Sequence, residues 1–218
     1  MLSSEERQWA LTLPRRAIER ALGPDAATDP ARPFEREELP RVFDERRGVF
    51  VTLTRYPSHA LRGCIGYPRP VLALRRALPR AAVAAAVEDP RFPPVRPEEL
   101  SRLAIEVSVL TVPVPIRARR PEELLAAVQV GRDGLIVEGW GTSGLLLPQV
   151  AAEEGWSTEE FLEGTCTKAG LPETAWRDPR VTVRRFEAEV VREVAPGEVP
   201  GAGPAPLSAP AGPPAPRS

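Results

Sequence analysis

Residues 48–66, GVFVTLTRYPSHALRGCIG, decide the fold of this chain. The first seven, 48–54, are β-branched and aromatic, the composition of a strand. Tyr56-Pro57-Ser58 is turn material, and residues 61–66 (LRGCIG) read as the returning strand. Residues 71–88 are apolar and alanine-rich, a helix that Pro79 kinks or delays. It stops before the proline-braced loop DPRFPPV at 89–95. Residues 105–110 (IEVSVL) alternate cleanly, placing Ile105, Val107 and Val109 on one face and Glu106, Ser108 and Leu110 on the other.

Upstream, residues 3–22 predict a helix. Ser3 or Ser4 caps it, Glu5 and Glu6 suit its positive end, and Trp9, Leu13, Ala17 and Leu22 recur at helical spacing. Pro14 is expected to kink it, and Gly23-Pro24 stops it. Residues 24–47, rich in proline and charge, read as a surface connection.

Downstream the plan repeats loosely. Pro121 opens a short helix, residues 134–138 form a strand, 139–143 a turn and 144–147 the return strand, stopped by Pro148. Ser157 and Glu160 form a capping box for a helix that Gly170 ends, and residues 181–193 read as a long strand, its alternation broken at Arg184-Arg185. Strand–turn–strand–helix–strand thus occurs twice. The hairpins are too short, and the helices too few, for a doubly wound parallel sheet, so the expected class is α+β with a mixed, curled sheet. Residues 1–195 are expected to form the domain. Residues 196–218 are rich in Pro, Gly and Ala and are expected to be a disordered tail.

Composition limits the chemistry. Among 218 residues there is one His (His59), one Met, two Cys and no Asn, and of 29 basic side chains only Lys168 is a lysine. These counts exclude a catalytic His pair, a multi-cysteine zinc cage and a lysine-centred phosphate loop. No metal or cofactor is expected. A formal net charge of −1 gives no footprint for nucleic acid or an anionic membrane. The N-terminal residues lack an apolar signal region, and no run approaches a membrane span, so a cytoplasmic protein with reduced thiols is expected. Heavy arginine use and scarce amide side chains fit heat adaptation.

The sharpest local signal is Arg62-Gly63-Cys64-Ile65-Gly66. Glycines allow another group to approach closely. In an unbroken strand Arg62 and Cys64 share a face, and a nearby guanidinium favours the thiolate. Cys64 is therefore a candidate nucleophile, or else a small buried hydrophobe. His59 is five residues away and more simply a loop residue. Cys166 fits core packing, beside Phe161 and Leu162. Glu106 is a candidate acid/base or partner of Arg62, and Ser108 shares its face. Arg62, Ser108, Gln149 and Arg91 are the candidate ligand contacts, with Asp89 and Phe92 in the same loop as Arg91.

Taken in order, LRGCIG (61–66), DPRFPPV (89–95), EVSVL (106–110), GRDGLIVE (131–138), GLLLPQV (144–150) and CTKAGLP (166–172) resemble the AMMECR-type domain over about residues 5–193. The resemblance implies an α+β fold of two related strand–helix units sharing one barrel-like sheet. It implies no established reaction and no cofactor. Bacterial and archaeal members tend to be encoded beside a Memo-like protein and a radical SAM enzyme, which the resemblance suggests as partners. Two functions follow as expectations: a ligand or substrate cleft beside LRGCIG that works through the Cys64 thiol, or a non-enzymatic protein-binding scaffold in which Cys64 only packs.

Overall fold

The computed structural model describes residues 1–24 and 29–198. The expected tail from residue 196 therefore lies, from residue 199 onward, outside the described residues, as do residues 25–28 of the 24–47 connection. The chain divides into two compact units, Met1–Val109 with the residues from Val190, and Leu110–Glu189. The class is α+β.

In the first unit α1 (Ser4–Ala21) is capped by Ser3, whose hydroxyl accepts from the N–H of Glu6 while the Glu6 carboxylate accepts from the N–H of Ser3. Pro14 does not end the helix; it is buried with Ala10, Leu11, Leu13, Ala17 and Ile18. The 24–47 connection is more than surface, because two 3-10 turns, Arg32–Phe34 and Arg41–Asp44, bury Phe34 and Phe43 completely. β1 (Val49–Arg55) pairs antiparallel with β2 (Ala60–Tyr67) on one side and with β3 (Leu103–Leu110) on the other. Between β2 and β3 runs α2 (Leu74–Val87), uninterrupted at Pro79.

Val49, Val51 and Leu53 meet Ile105, Val107, Val109 and the apolar faces of both helices in one core. Gly63 makes this possible. A Cβ there would lie 2.1 Å from the Ala85 carbonyl oxygen, so only glycine lets α2 sit this close to β2.

The second unit contains β4 (Val114–Pro115), α3 (Pro121–Ala127), β5 (Asp133–Gly139), β6 (Thr142–Leu146), α4 (Pro148–Glu153) and α5 (Thr158–Lys168), with most of β7 (Thr182–Arg192). β5 pairs antiparallel with β6 and β7. Its core gathers Leu135, Val137, Phe161, Leu162, Cys166 and Trp176. The capping box of Ser157 and Glu160 is present. Here too a glycine admits a helix: a Cβ on Gly144 would lie 2.3 Å from the amide nitrogen of Ala169, just past α5. Both hairpins therefore carry a helix against a glycine of their second strand, which gives the doubled sequence pattern a structural counterpart.

Two expectations are corrected. Within each unit every described pairing is antiparallel, not mixed: the short turns of the β1–β2 and β5–β6 hairpins can only reverse the chain, and β3 and β7 then add antiparallel beside β1 and β5. Pro148 does not merely stop a strand; it begins α4, where its missing N–H costs no hydrogen bond.

Candidate functional site

The geometry around Cys64 starts from an irregularity in the hairpin. Thr54 pairs with Leu61 and Leu53 with Gly63, which leaves Arg62 as an extra residue without a partner in β1. Such a bulge breaks the two-residue alternation and re-aims a side chain. Arg62 is only 2% exposed, yet its guanidinium does not serve the thiol. Nε and Nη2 donate to the two carboxylate oxygens of Glu99 at 2.9 Å each. Nη1 donates to the Pro93 carbonyl at 2.9 Å and Nη2 also to Pro94 at 3.4 Å. The Arg62 hydrogen bond holds the Glu99 carboxyl down at about 2. The expected pairing of Arg62 with Glu106 is not formed, because the bulge turns Arg62 toward the 93–99 segment.

Cys64 lies on the free edge of β2. Its N–H donates to Asp89 Oδ2 at 2.8 Å, and its carbonyl accepts from Arg91 Nη2 at 3.3 Å. Asp89 also accepts from the backbone and the guanidinium of Arg91. These bonds hold the Asp89 carboxyl well below the usual carboxylate range. An edge strand exposes unpaired N–H and C=O groups; at Cys64 the Asp89–Arg91 pair satisfies both. The thiol accepts a hydrogen bond from Thr52 Oγ1 at 3.3 Å. Burial pushes the thiol above its ordinary 9.0; the Thr52 bond and the charge of Arg91 oppose the rise, while Asp89 and Glu106 add to it. Arg62 does not favour the thiolate, contrary to the sequence expectation, because its charge is neutralised by Glu99.

Thr52 pairs with Cys64 on one side and with Glu106 on the other, so the three residues form a row on one sheet face. Glu106 is half-buried and paired with Arg192 Nη2 at 2.9 Å; burial pushes its carboxyl above 4.5 against the pull of Arg192. Ser108, a candidate ligand contact, is buried. Gln149 sits in the first turn of α4, in the other unit. His59 is exposed at the β1–β2 turn with φ 57°, about 16 Å along the strand from Cys64 at about 3.3 Å per residue. Cys166 is fully buried, and both cysteines are free. Among the described residues no group of His, Cys, Asp and Glu is arranged to hold a metal, and no helix is long and apolar enough to cross a membrane.

The structure thus brings Cys64, Asp89 and Arg91 into one network, holds Arg62 in a separate one with Glu99 and the carbonyls of Pro93 and Pro94, and places Glu106 one strand beyond Thr52. Arg62 lines a cavity whose wall contains neither Cys64 nor Glu106. Sequence reasoning missed Glu99, Thr52 and Arg192. Thr52 was within reach through hairpin register, except that the bulge at Arg62 moves the register by one. Glu99 and Arg192 lie too far along the chain to be paired by spacing.

The AMMECR1 family model matches residues 11–191. A protein of Thermococcus gammatolerans is 52% identical over 195 residues, covering 88% of this chain and 92% of that one. A protein of Thermofilum pendens is 49% identical over 203 residues, covering 89% and 93%. The crystal structure of the uncharacterized protein PH0010 from Pyrococcus horikoshii is similar at a TM-score of 0.76 with 48% identity, covering 90% of this chain and 96% of that one. The motifs from LRGCIG to CTKAGLP lie inside the matched span, and the chain belongs to the AMMECR1 family.

Proposed function

We propose that this protein is a non-enzymatic binding module that recognises a partner protein through loop 89–94, braced against the edge of β2. The observation that carries this is the use of Arg62. Its buried guanidinium grips Glu99 and the carbonyls of Pro93 and Pro94, so it serves to fix the loop and not to hold a substrate. Asp89 and Arg91 tie the other end of the loop to Cys64, and the Val95 N–H donates to Ala86 at 2.8 Å. The braced loop presents Pro93, Pro94, the half-buried Phe92 and the outer part of Arg91, whose guanidinium lies 5.6 Å from the Phe92 ring. Arginine and aromatic side chains on a pre-ordered loop are favourable anchors for protein partners, since little entropy is lost on docking.

Residues 1–195 form the functional domain in this reading, residues 196–218 a tail, and the cytoplasm the compartment. The Memo-like and radical SAM proteins encoded beside family members are the partners to test first. Titration of each by isothermal calorimetry is expected to give a complex with at least one of them. That complex keeps its affinity in Cys64→Ala and is weakened tenfold or more in Phe92→Ala, about 1.4 kcal/mol. Loss in Cys64→Ala with full binding in Phe92→Ala overturns the reading, as does the absence of any complex.

A second reading, chemistry at the Cys64 thiol, draws support from the Thr52 hydrogen bond and the nearby charge of Arg91. Burial and the absence of an adjacent imidazole weigh against it.

A further inference from the structure

A cavity of about 1000 Å³ opens between the β1–β2 turn and the segment from Pro93 to Leu103. Four guanidinium groups line it, from Arg55, Arg62, Arg96 and Arg102, against two carboxylates, Glu98 and Glu99. The cavity therefore carries two net positive charges in a protein whose formal charge is −1.

These arginines are not alike. Arg62, buried in the wall, is paired with Glu99 and fixes the shape of the cavity. Arg55, Arg96 and Arg102 are exposed, and among the described residues their guanidinium groups have no ion pair or hydrogen bond. Elsewhere in the same unit Arg15, Arg16, Arg75, Arg80 and Arg91 meet carboxylates, while among the described residues the exposed Arg20 and Arg41 do not; the cavity is set apart by gathering three such groups at one place. Three guanidinium groups without a hydrogen-bonded carboxylate gather around one concavity, Arg55 acting on Glu99 only through its charge; they are an anion site by charge and by donor geometry, since each presents a planar fork matched to phosphate oxygens. The exposed Tyr56 ring, with Pro93 and Pro94, supplies an apolar wall beside them. The volume is that of a small-molecule site.

We propose that this cavity binds a small phosphate-bearing ligand, with its phosphate groups on Arg55, Arg96 and Arg102 and any planar organic part against Tyr56. The site shares Pro93 and Pro94 with the recognition loop but not Arg91 or Phe92, so the Phe92→Ala variant and the arginine variants test the two readings separately.

Isothermal titration of the full chain with inorganic pyrophosphate and with ADP, at about 50 mM salt to limit screening, tests it. Binding of at least one probe with a dissociation constant below about 1 mM is expected. The Arg55→Ala/Arg102→Ala double variant is expected to bind at least tenfold more weakly with an unchanged urea midpoint. Arg117→Ala, an exposed arginine of the other unit, leaves binding intact. ADP bound more tightly than pyrophosphate supports an organic phosphate that uses Tyr56; equal affinities support recognition of the phosphate groups alone. No heat from either probe at several millimolar, or a double variant that binds like wild type, overturns the proposal.

Discussion

Replacing Arg62 by methionine is expected to destabilise the protein by about 2–3 kcal/mol at pH 7, and the size of the loss follows from the burial of the pair. Arg62 is 2% exposed and Glu99 30% exposed in their side chains. Breaking a fully buried pair costs about 3–5 kcal/mol, because the remaining charge is stranded. Glu99 is open enough to regain some water, which places the loss toward or below that range. The carboxyl gives a second estimate. A group held at about 2 in the folded protein against 4.5 when unfolded corresponds to at most about 3.4 kcal/mol at neutral pH. Solvent screening at a side chain this open reduces it to about 2 kcal/mol. The folded value is depressed, so the stabilisation is complete above about pH 4.5 and disappears as pH falls through about 2.

Urea unfolding of wild type and Arg62→Met between pH 7 and pH 2 measures this directly. The two curves of stability against pH are expected to differ by about 2–3 kcal/mol at neutrality and to converge in acid. Adding Glu99→Gln to Arg62→Met is expected to recover part of the loss, since it removes the stranded charge. A difference below about 0.5 kcal/mol at pH 7, or one that does not change with pH, refutes the reasoning.

Glycine close approach gives a second expectation. Gly63→Ala and Gly144→Ala each drive a Cβ into backbone, at 2.1 and 2.3 Å, and are expected to cost about 3 kcal/mol or more by urea unfolding. Gly141→Ala, in open space at φ +83°, pays only backbone strain and is expected to cost about 1 kcal/mol. Ser157→Ala removes the cap of α5 and is expected to cost about 1 kcal/mol in the same assay. Thr52→Val removes the hydrogen bond that lowers the Cys64 thiol. Ultraviolet thiolate absorbance at 240 nm is expected to show its titration moving to higher pH, and a downward move contradicts the assignment.

Much of the fold was legible because the signals are local. The serine cap at Ser3 or Ser4, the capping box at Ser157, the hairpin over 48–66 and the doubled strand–helix plan all follow from neighbours in sequence. α4 was hidden because Leu145-Leu146-Leu147 reads as strand and Pro148 as a stop, although proline is equally at home in a first helical turn. The candidate site was less legible. The pairing of Arg62 with Cys64 assumed an unbroken ladder, and one extra residue redirects the guanidinium to Glu99. Ser108 was offered as a ligand contact from alternation, which gives a face but not what covers it, and it is buried. Glu106 was read as a base or a partner of Arg62; its partner, Arg192, comes from the end of β7, 86 residues downstream, which no local pattern specifies.

The central claim is that the Cys64 strand is built to brace a recognition loop and not to deliver a thiolate. The most direct test is the rate of Cys64 reaction with an uncharged disulfide reagent from pH 6 to 10.5, in a Cys166→Ser background that leaves one thiol. The account predicts slow modification and a midpoint above the ordinary 9.0, as burial requires. A midpoint below about 8 with rapid modification, the behaviour of an activated cysteine, contradicts it.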